Sequence, residues 1–209
     1  MAHEDCANWE YTSHPNYQGV VDACAAFLSQ LQSNPGSKAS ALRDTREYHR
    51  EVFSPVAPQD CPDIVGNYRG ANFDCLRSYP VTFGGVHGTL SVGVHLSMDL
   101  YHEDLLDAIR DLDEAVSRTI KPLTGPTLLV RVVQVAASFL TRFFTIHPYA
   151  NGNGHMGRLV VWVLLARYNR LPARWWLHKS PPAYAPLLSE HRAGRPKQLE
   201  KYLLGCILG

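Results

Sequence analysis

The 209-residue chain is expected to be mainly α-helical, with two central buried helices joined by a loop and a small β-hairpin beside them. Three observations point there. Two long apolar stretches, about Thr127–Ile146 and about Gly154–Tyr168, are apolar on more than one face, which implies burial at the centre of a domain. Earlier segments repeat apolar residues at helical spacing. Between Ile64 and Leu96 the character shifts to Gly, Tyr, Phe, Thr and Val, the residues of turns and short strands.

Along the chain, Val20, Val21, Cys24, Phe27, Leu28 and Leu31 predict a short helix over about 20–32, stopped by Asn34-Pro35-Gly36-Ser37. A second helix is expected over about Ala39–Phe53, before Pro55 and Pro58. Tyr79–Phe83 and Thr89–His95, separated by Gly84-Gly85, resemble two strands around a turn. Helical character resumes at about His102–Thr119, where Glu103, Asp104 and Asp107 would favour the start of the helix dipole. Pro172 ends the second core helix, and the remainder to Leu208 reads as one or two shorter helices broken at Ala193-Gly194-Arg195-Pro196.

A hydrophobic content of 45% supports one domain with a sizeable core. The division expected is an N-terminal helical extension over 1–44 and a main domain over 45–209. Twenty basic and nineteen acidic residues leave a net charge of +1, so no bulk charge points to nucleic acid or an anionic membrane. Arg131, Gln134, Arg142 and Arg167 interrupt the apolar runs, which marks them as buried helices and not membrane spans. Five cysteines, odd in number and without a C-x-x-C pair, argue against a disulfide framework and a cysteine zinc site. The start Met1-Ala2-His3-Glu4-Asp5 lacks the basic and apolar pattern of a signal peptide. A cytoplasmic setting is expected, with leaderless secretion left open.

The chemistry concentrates in His147-Pro148-Tyr149-Ala150-Asn151-Gly152-Asn153-Gly154-His155-Met156-Gly157-Arg158. Pro148 disfavours helical geometry for its predecessor, so the first core helix should finish at or near His147 and deliver the imidazole into a turn. Histidine is the side chain most easily poised to take a proton near neutral pH. Gly152, Asn153 and Gly154 precede the second core helix, where turn amides and the positive helix end can converge on an anion. Arg158 lies about one helical turn after Gly154 and can return toward it. A base, an anion cradle and a cation together suggest transfer of a phosphorus-containing group.

The segment is similar to the signature of the Fic (Fido) family, H-P-F-x-(D/E)-G-N-G-R-x-x-R. Tyr48-His49-Arg50-Glu51-Val52-Phe53 resembles the family's early helix, Gly66-Asn67-Tyr68-Arg69 its G-x-Y-R turn, and Tyr79–Leu96 occupies the place of its flap hairpin. The resemblance covers roughly residues 45–207. It implies a Fic-type helical domain that moves AMP, or another phosphate-containing group, from a nucleotide such as ATP to a Ser, Thr or Tyr hydroxyl of a protein. His147 would be the general base; Gly152, Asn153, Gly154, His155 and Arg158 would bind phosphates. Tyr79, Val81, Thr82, Phe83, Gly84 and Gly85 would form a flap that docks the target as an added strand.

Three positions depart from the signature. Tyr149 stands for Phe, a mild change if its hydroxyl finds a partner. Asn151 replaces the acid that in the family binds magnesium, leaving an uncharged amide as a weaker ligand. His155 replaces the first arginine, at a cost of about 1.5 to 3 kcal/mol of phosphate binding. A donor other than ATP, or a degenerate Fic fold acting as a nucleotide- or protein-binding module, are the alternatives these changes raise. None of the glutamates has Ser or Thr four residues earlier, so the family's S/T-x-x-x-E-(G/N) inhibitory helix is not expected, and restraint by a separate inhibitory partner stays open.

Overall fold

The computed structural model describes residues 9–83, 85–174, 177 and 184–209. Seven α-helices and a minimal hairpin make up the described residues: α1 (Tyr17–Ser33), α2 (Arg46–Phe53), β1 (Thr82–Phe83), β2 (Val86–His87), α3 (Val94–Ser117), α4 (Gly125–Ile146), α5 (Asn153–Arg167), α6 (Tyr184–Arg192) and α7 (Lys197–Leu208). The mainly α expectation holds.

The central pair is α4 and α5. α5 buries residues from every face, His155 through Ala166, as its all-round apolar sequence requires. α4 buries Leu129, Val132, Val133, Ala136, Leu140, Phe143 and Phe144, while Arg142 reaches out to pair with Asp104 of α3. α4 is long and apolar enough to cross a membrane, but it packs on α3, α5, α6 and α7 in the core. Each fully buried Leu, Val or Phe contributes on the order of 1.5–3 kcal/mol. Near the joining loop the two helices approach closely at Gly157, where an added Cβ would stand 3.3–3.4 Å from Leu140, Phe143 and Phe144. α1 lays Val20, Cys24, Phe27 and Leu31 against the same core.

Several expected boundaries shift. The helix expected over Ala39–Phe53 is two pieces, a 3-10 turn at Ala39–Leu42 and then α2, because the Asp44 carboxylate accepts the Arg46 N–H (2.9 Å) and restarts the helix. α3 begins at Val94 and not near His102, since Val94, Met98 and Tyr101 extend its buried stripe. Glu103, Asp104 and Asp107 therefore lie mid-helix and do not serve its dipole. Asp107 pairs with Arg110.

The hairpin is smaller than the sequence suggests. β1 and β2 are antiparallel with Thr82 opposite His87 and Phe83 opposite Val86, while Thr89–His95 is not a strand. The Thr89 N–H instead donates to the Thr145 carbonyl, tying the chain to the last turn of α4, and Ser91–Gly93 is a 3-10 turn. The cysteine reading also needs correction. Cys61 is disulfide-bonded, to a partner outside the described residues, whereas Cys24, Cys75 and Cys206 are free. A bridge at Cys61 leaves no C-x-x-C spacing pattern to read.

Candidate active site

α4 ends at Ile146, and His147 caps it in the left-handed conformation (φ 54, ψ 62), its N–H donating to the Phe143 carbonyl (2.8 Å). Pro148 bars the helix from continuing, and a left-handed residue turns the chain toward α5. The turn is fixed from outside by Arg69. Its Nε donates to the His147 carbonyl (2.8 Å), and Nη2 donates to the carbonyls of Ile146 (3.0 Å) and Thr89 (2.9 Å). Nη1 donates to the Tyr79 carbonyl (2.9 Å), and the Arg69 backbone N–H donates to Pro148 (2.8 Å). Arg69 is 1% exposed, and burial lowers its pKa to about 10, which leaves it charged at neutral pH. One guanidinium thus joins the base of the flap to the end of α4.

Burial lowers the His147 pKa to about 4; a bond with the Phe144 backbone opposes the shift, and the charges of Arg69 and Arg192 add to it. The imidazole is therefore neutral near pH 7 and able to accept a proton. The segment leaving the flap lies directly against His147, since a Cβ added at Gly88 would come 3.0 Å from His147 Cβ and 2.8 Å from Val81.

Tyr149 floors the loop. Its hydroxyl finds Thr45 Oγ1 at 2.6 Å, and its ring stacks on His49 at 3.9 Å and 12°. His49 Nδ1 accepts the Gly66 N–H (2.9 Å), so Nε2 carries the proton and donates to the Asn151 carbonyl (3.0 Å). Burial pushes the His49 pKa down to about 3 and keeps this tautomer uncharged.

The second half of the loop is fastened differently. Asn153 spends its side chain on the Tyr149 backbone, with Oδ1 accepting the N–H (2.9 Å) and Nδ2 donating to the carbonyl (2.8 Å). What it offers an anion is backbone. Gly152 has φ 78 and no room for a side chain, because a Cβ would fall 2.5 Å from the Phe53 ring. Asn151 Oδ1 accepts the Gly152 N–H (2.8 Å), while Nδ2 donates to the Trp9 carbonyl (2.8 Å). His155 is buried between Tyr11 and Phe53, with Nδ1 3.3 Å from the Tyr11 hydroxyl. Arg158 is 1% exposed and returns beside Gly154, where Nη1 would stand 3.0 Å from an added Cβ. Its Nε and Nη2 donate to the Leu177 carbonyl (3.1 and 2.6 Å).

The structure therefore places His147 and Gly152 at the two ends of the turn between α4 and α5, and Asn153, Gly154, His155 and Arg158 in the first two turns of α5. Tyr79 stands apart from the strands as an anchor on Arg69; Val81, Thr82, Phe83 and Gly85 belong to the hairpin region, and Gly84 lies outside the described residues. The magnesium ligand set does not fit. Asn151 carries no charge, and its single side-chain oxygen already accepts an N–H. Among the described residues no group of three or more His, Cys, Asp or Glu is arranged to hold a metal.

Arg69, His49, Trp9 and Tyr11 join the site without having been singled out as site residues by sequence. The first two stand in segments quoted for the resemblance, which was the available signal. Trp9 and Tyr11 had none beyond being an aromatic pair. In comparison with known proteins, the chain is similar to the family model described as the Fic/DOC family over residues 40–165, more than half its length. No curated protein matches it.

Proposed function

Because the chain belongs to the Fic/DOC family, generally transferases of AMP or similar groups, we propose that it moves such a group from a nucleotide donor to a Ser, Thr or Tyr hydroxyl of a protein, with His147 as general base. The observation that carries the reading is a neutral His147, fixed by backbone bonds at the end of α4, one short turn from the amino end of α5.

The unprotonated ring nitrogen of His147 takes the hydroxyl proton as that oxygen bonds to the α-phosphorus. The phosphorus–oxygen bond to the rest of the donor breaks, and with ATP the leaving group is diphosphate. Backbone amides at Asn153 and Gly154 and the positive end of α5 favour the anion that departs, with Arg158 beside them, while the Gly152 N–H is held by Asn151. β1 and β2 would present an edge for the target's backbone. These residues are poorly made to hold magnesium, since Asn151 is uncharged and its side-chain oxygen already accepts the Gly152 N–H.

A second reading, nucleotide or protein binding without turnover, is favoured by Asn151 and His155 being engaged by Trp9 and Tyr11. A cytoplasmic setting remains part of the proposal, supported by the free cysteines and opposed by the bridge at Cys61.

The test is incubation of wild type and His147→Ala with labelled ATP, other nucleoside triphosphates and a proteome. General-base removal should lower labelling by about 100- to 10,000-fold. Labelling that survives the substitution, or none from any donor, would sink the enzyme reading.

A further inference from the structure

We propose that Trp9 to Thr12 form a built-in strap that closes the phosphate-binding half of the loop and must lift for a nucleotide to enter. This rests on reading the turn between α4 and α5 as a phosphate site.

Trp9 and Tyr11 precede the first helix, yet they are 7% and 6% exposed and sit in the core beside the loop. The Trp9 indole N–H donates to the Val56 carbonyl (3.1 Å), and its ring meets Phe53 edge-on at 5.9 Å. Tyr11 meets the same Phe53 at 4.8 Å and stacks on Tyr17 at 6.2 Å. These contacts aim two polar groups of the strap at two side chains of the loop. The Trp9 carbonyl receives the Asn151 amide, and the Tyr11 hydroxyl meets His155.

Those two residues are two of the three that depart from the family signature, and the strap gives each a physical reason. A carboxylate at position 151 has no proton to donate and would place negative charge against the Trp9 carbonyl oxygen. An arginine at position 155 would push a longer, charged group into the space between Tyr11 and Phe53. Asn and His are suited to holding the strap, and His155, the one of the two read as a phosphate ligand, is turned to the Tyr11 hydroxyl while Asn151 ties the start of the phosphate turn to Trp9. Strap and nucleotide thus compete for the same half of the loop. A nucleotide that binds only the lifted form has its apparent affinity reduced by the fraction of molecules in that form.

The experiment uses the full chain and ATP as probe, measured by calorimetry with and without magnesium, alongside hydrogen exchange of the backbone amides at residues 9–12. Tyr11→Phe removes the hydroxyl that meets His155 without adding a phosphate ligand, and it keeps the ring that fills the core. Asn151→Asp removes the bond to Trp9. We expect both variants to exchange faster at 9–12 and to bind ATP about tenfold more tightly, Tyr11→Phe doing so without magnesium as well. Saturating ATP should accelerate exchange at 9–12 in the wild-type protein. The proposal is overturned if ATP binds the wild type while exchange there stays slow, if faster exchange in Tyr11→Phe leaves affinity unchanged, or if ATP binds none of the three proteins. Release of the strap by ATP without any transfer dependent on His147 would uphold the strap and overturn the enzyme reading.

Discussion

The two halves of the loop between α4 and α5 are built on different principles. Its first half, His147 to Tyr149, is held mainly at its backbone, by Arg69 at the carbonyls of His147 and Pro148 and by Asn153 at the Tyr149 N–H and carbonyl, with the Tyr149 ring seated on His49 and its hydroxyl on Thr45. Its second half, Asn151 to Arg158, is engaged through side chains, by Trp9, Tyr11 and the Leu177 carbonyl. Backbone-directed bonds tolerate changes in the loop's side chains, whereas side-chain bonds change with them. The base therefore sits in the half built for permanence, and the half expected to choose the donor is the one in which charged signature positions are replaced, at Asn151 and His155.

The sharpest way to break the comparison is Arg69→Ala. Hydrogen bonds from a charged donor are worth about 1.5–3 kcal/mol each, and this change abandons carbonyls of Ile146, His147, Tyr79 and Thr89 inside the protein. A loss of at least about 4 kcal/mol in stability is expected by urea unfolding. Arg69→Lys keeps the charge but not the fork, so it should fold and lose transfer mainly in kcat, by about 100-fold, because small misplacements of a base are costly. An unchanged kcat in Arg69→Lys would show that the clamp does not position His147.

Acid should separate the halves next. His49 and His147 have folded pKa values of about 3 and about 4, below the unfolded value of about 6.5. The unfolded chain binds more protons between these values, so stability is complete above about pH 6.5 and falls as pH drops through the window. Each group contributes at most about 1.4 kcal/mol per pH unit. The transfer rate, measured where the protein remains folded, should stay flat from pH 7 to about 5. An inflection near 6.5 would mean that His147 is not desolvated as described.

Much of this architecture was legible. The long apolar stretches marked α4 and α5 to within about two residues, because helices at the centre of a core need long runs in which apolar residues predominate. The start of α3 was not, since His95, Ser97 and Asp99 dilute the stripe that Val94, Met98 and Tyr101 begin. In the site, His147 at a helix end, the glycine turn and Arg158 beside it followed from local rules. The bonds of Arg69, His49 and Trp9 did not, because they span 78, 102 and 142 residues to backbone or loop partners that no periodicity marks.

A smaller effect tests the altered half. Asn151→Asp with His155→Arg restores the family's charges and removes the strap's partners. ATP-dependent labelling should rise about 10- to 100-fold, the equivalent of one charged hydrogen bond. An unchanged or lower rate in a folded protein would mean that these departures do not govern donor use.

The smallest effect concerns the base itself. His147 holds a left-handed backbone that costs a residue with a Cβ about 1–2 kcal/mol, and glycine is free of that cost. Both His147→Gly and His147→Ala should lose the base's contribution to transfer alike, but Gly should be the more stable by about 1 kcal/mol in urea unfolding, the reverse of their order within a helix. If Ala proves equal or better, the left-handed turn is not what the fold demands there. If Gly wins, the strain belongs to the backbone and is borne because this turn faces the carbonyls of Ile146, His147 and Pro148 toward Arg69. The protein then keeps a side chain at an unfavourable position where a glycine would fold better, and the imidazole is the reason.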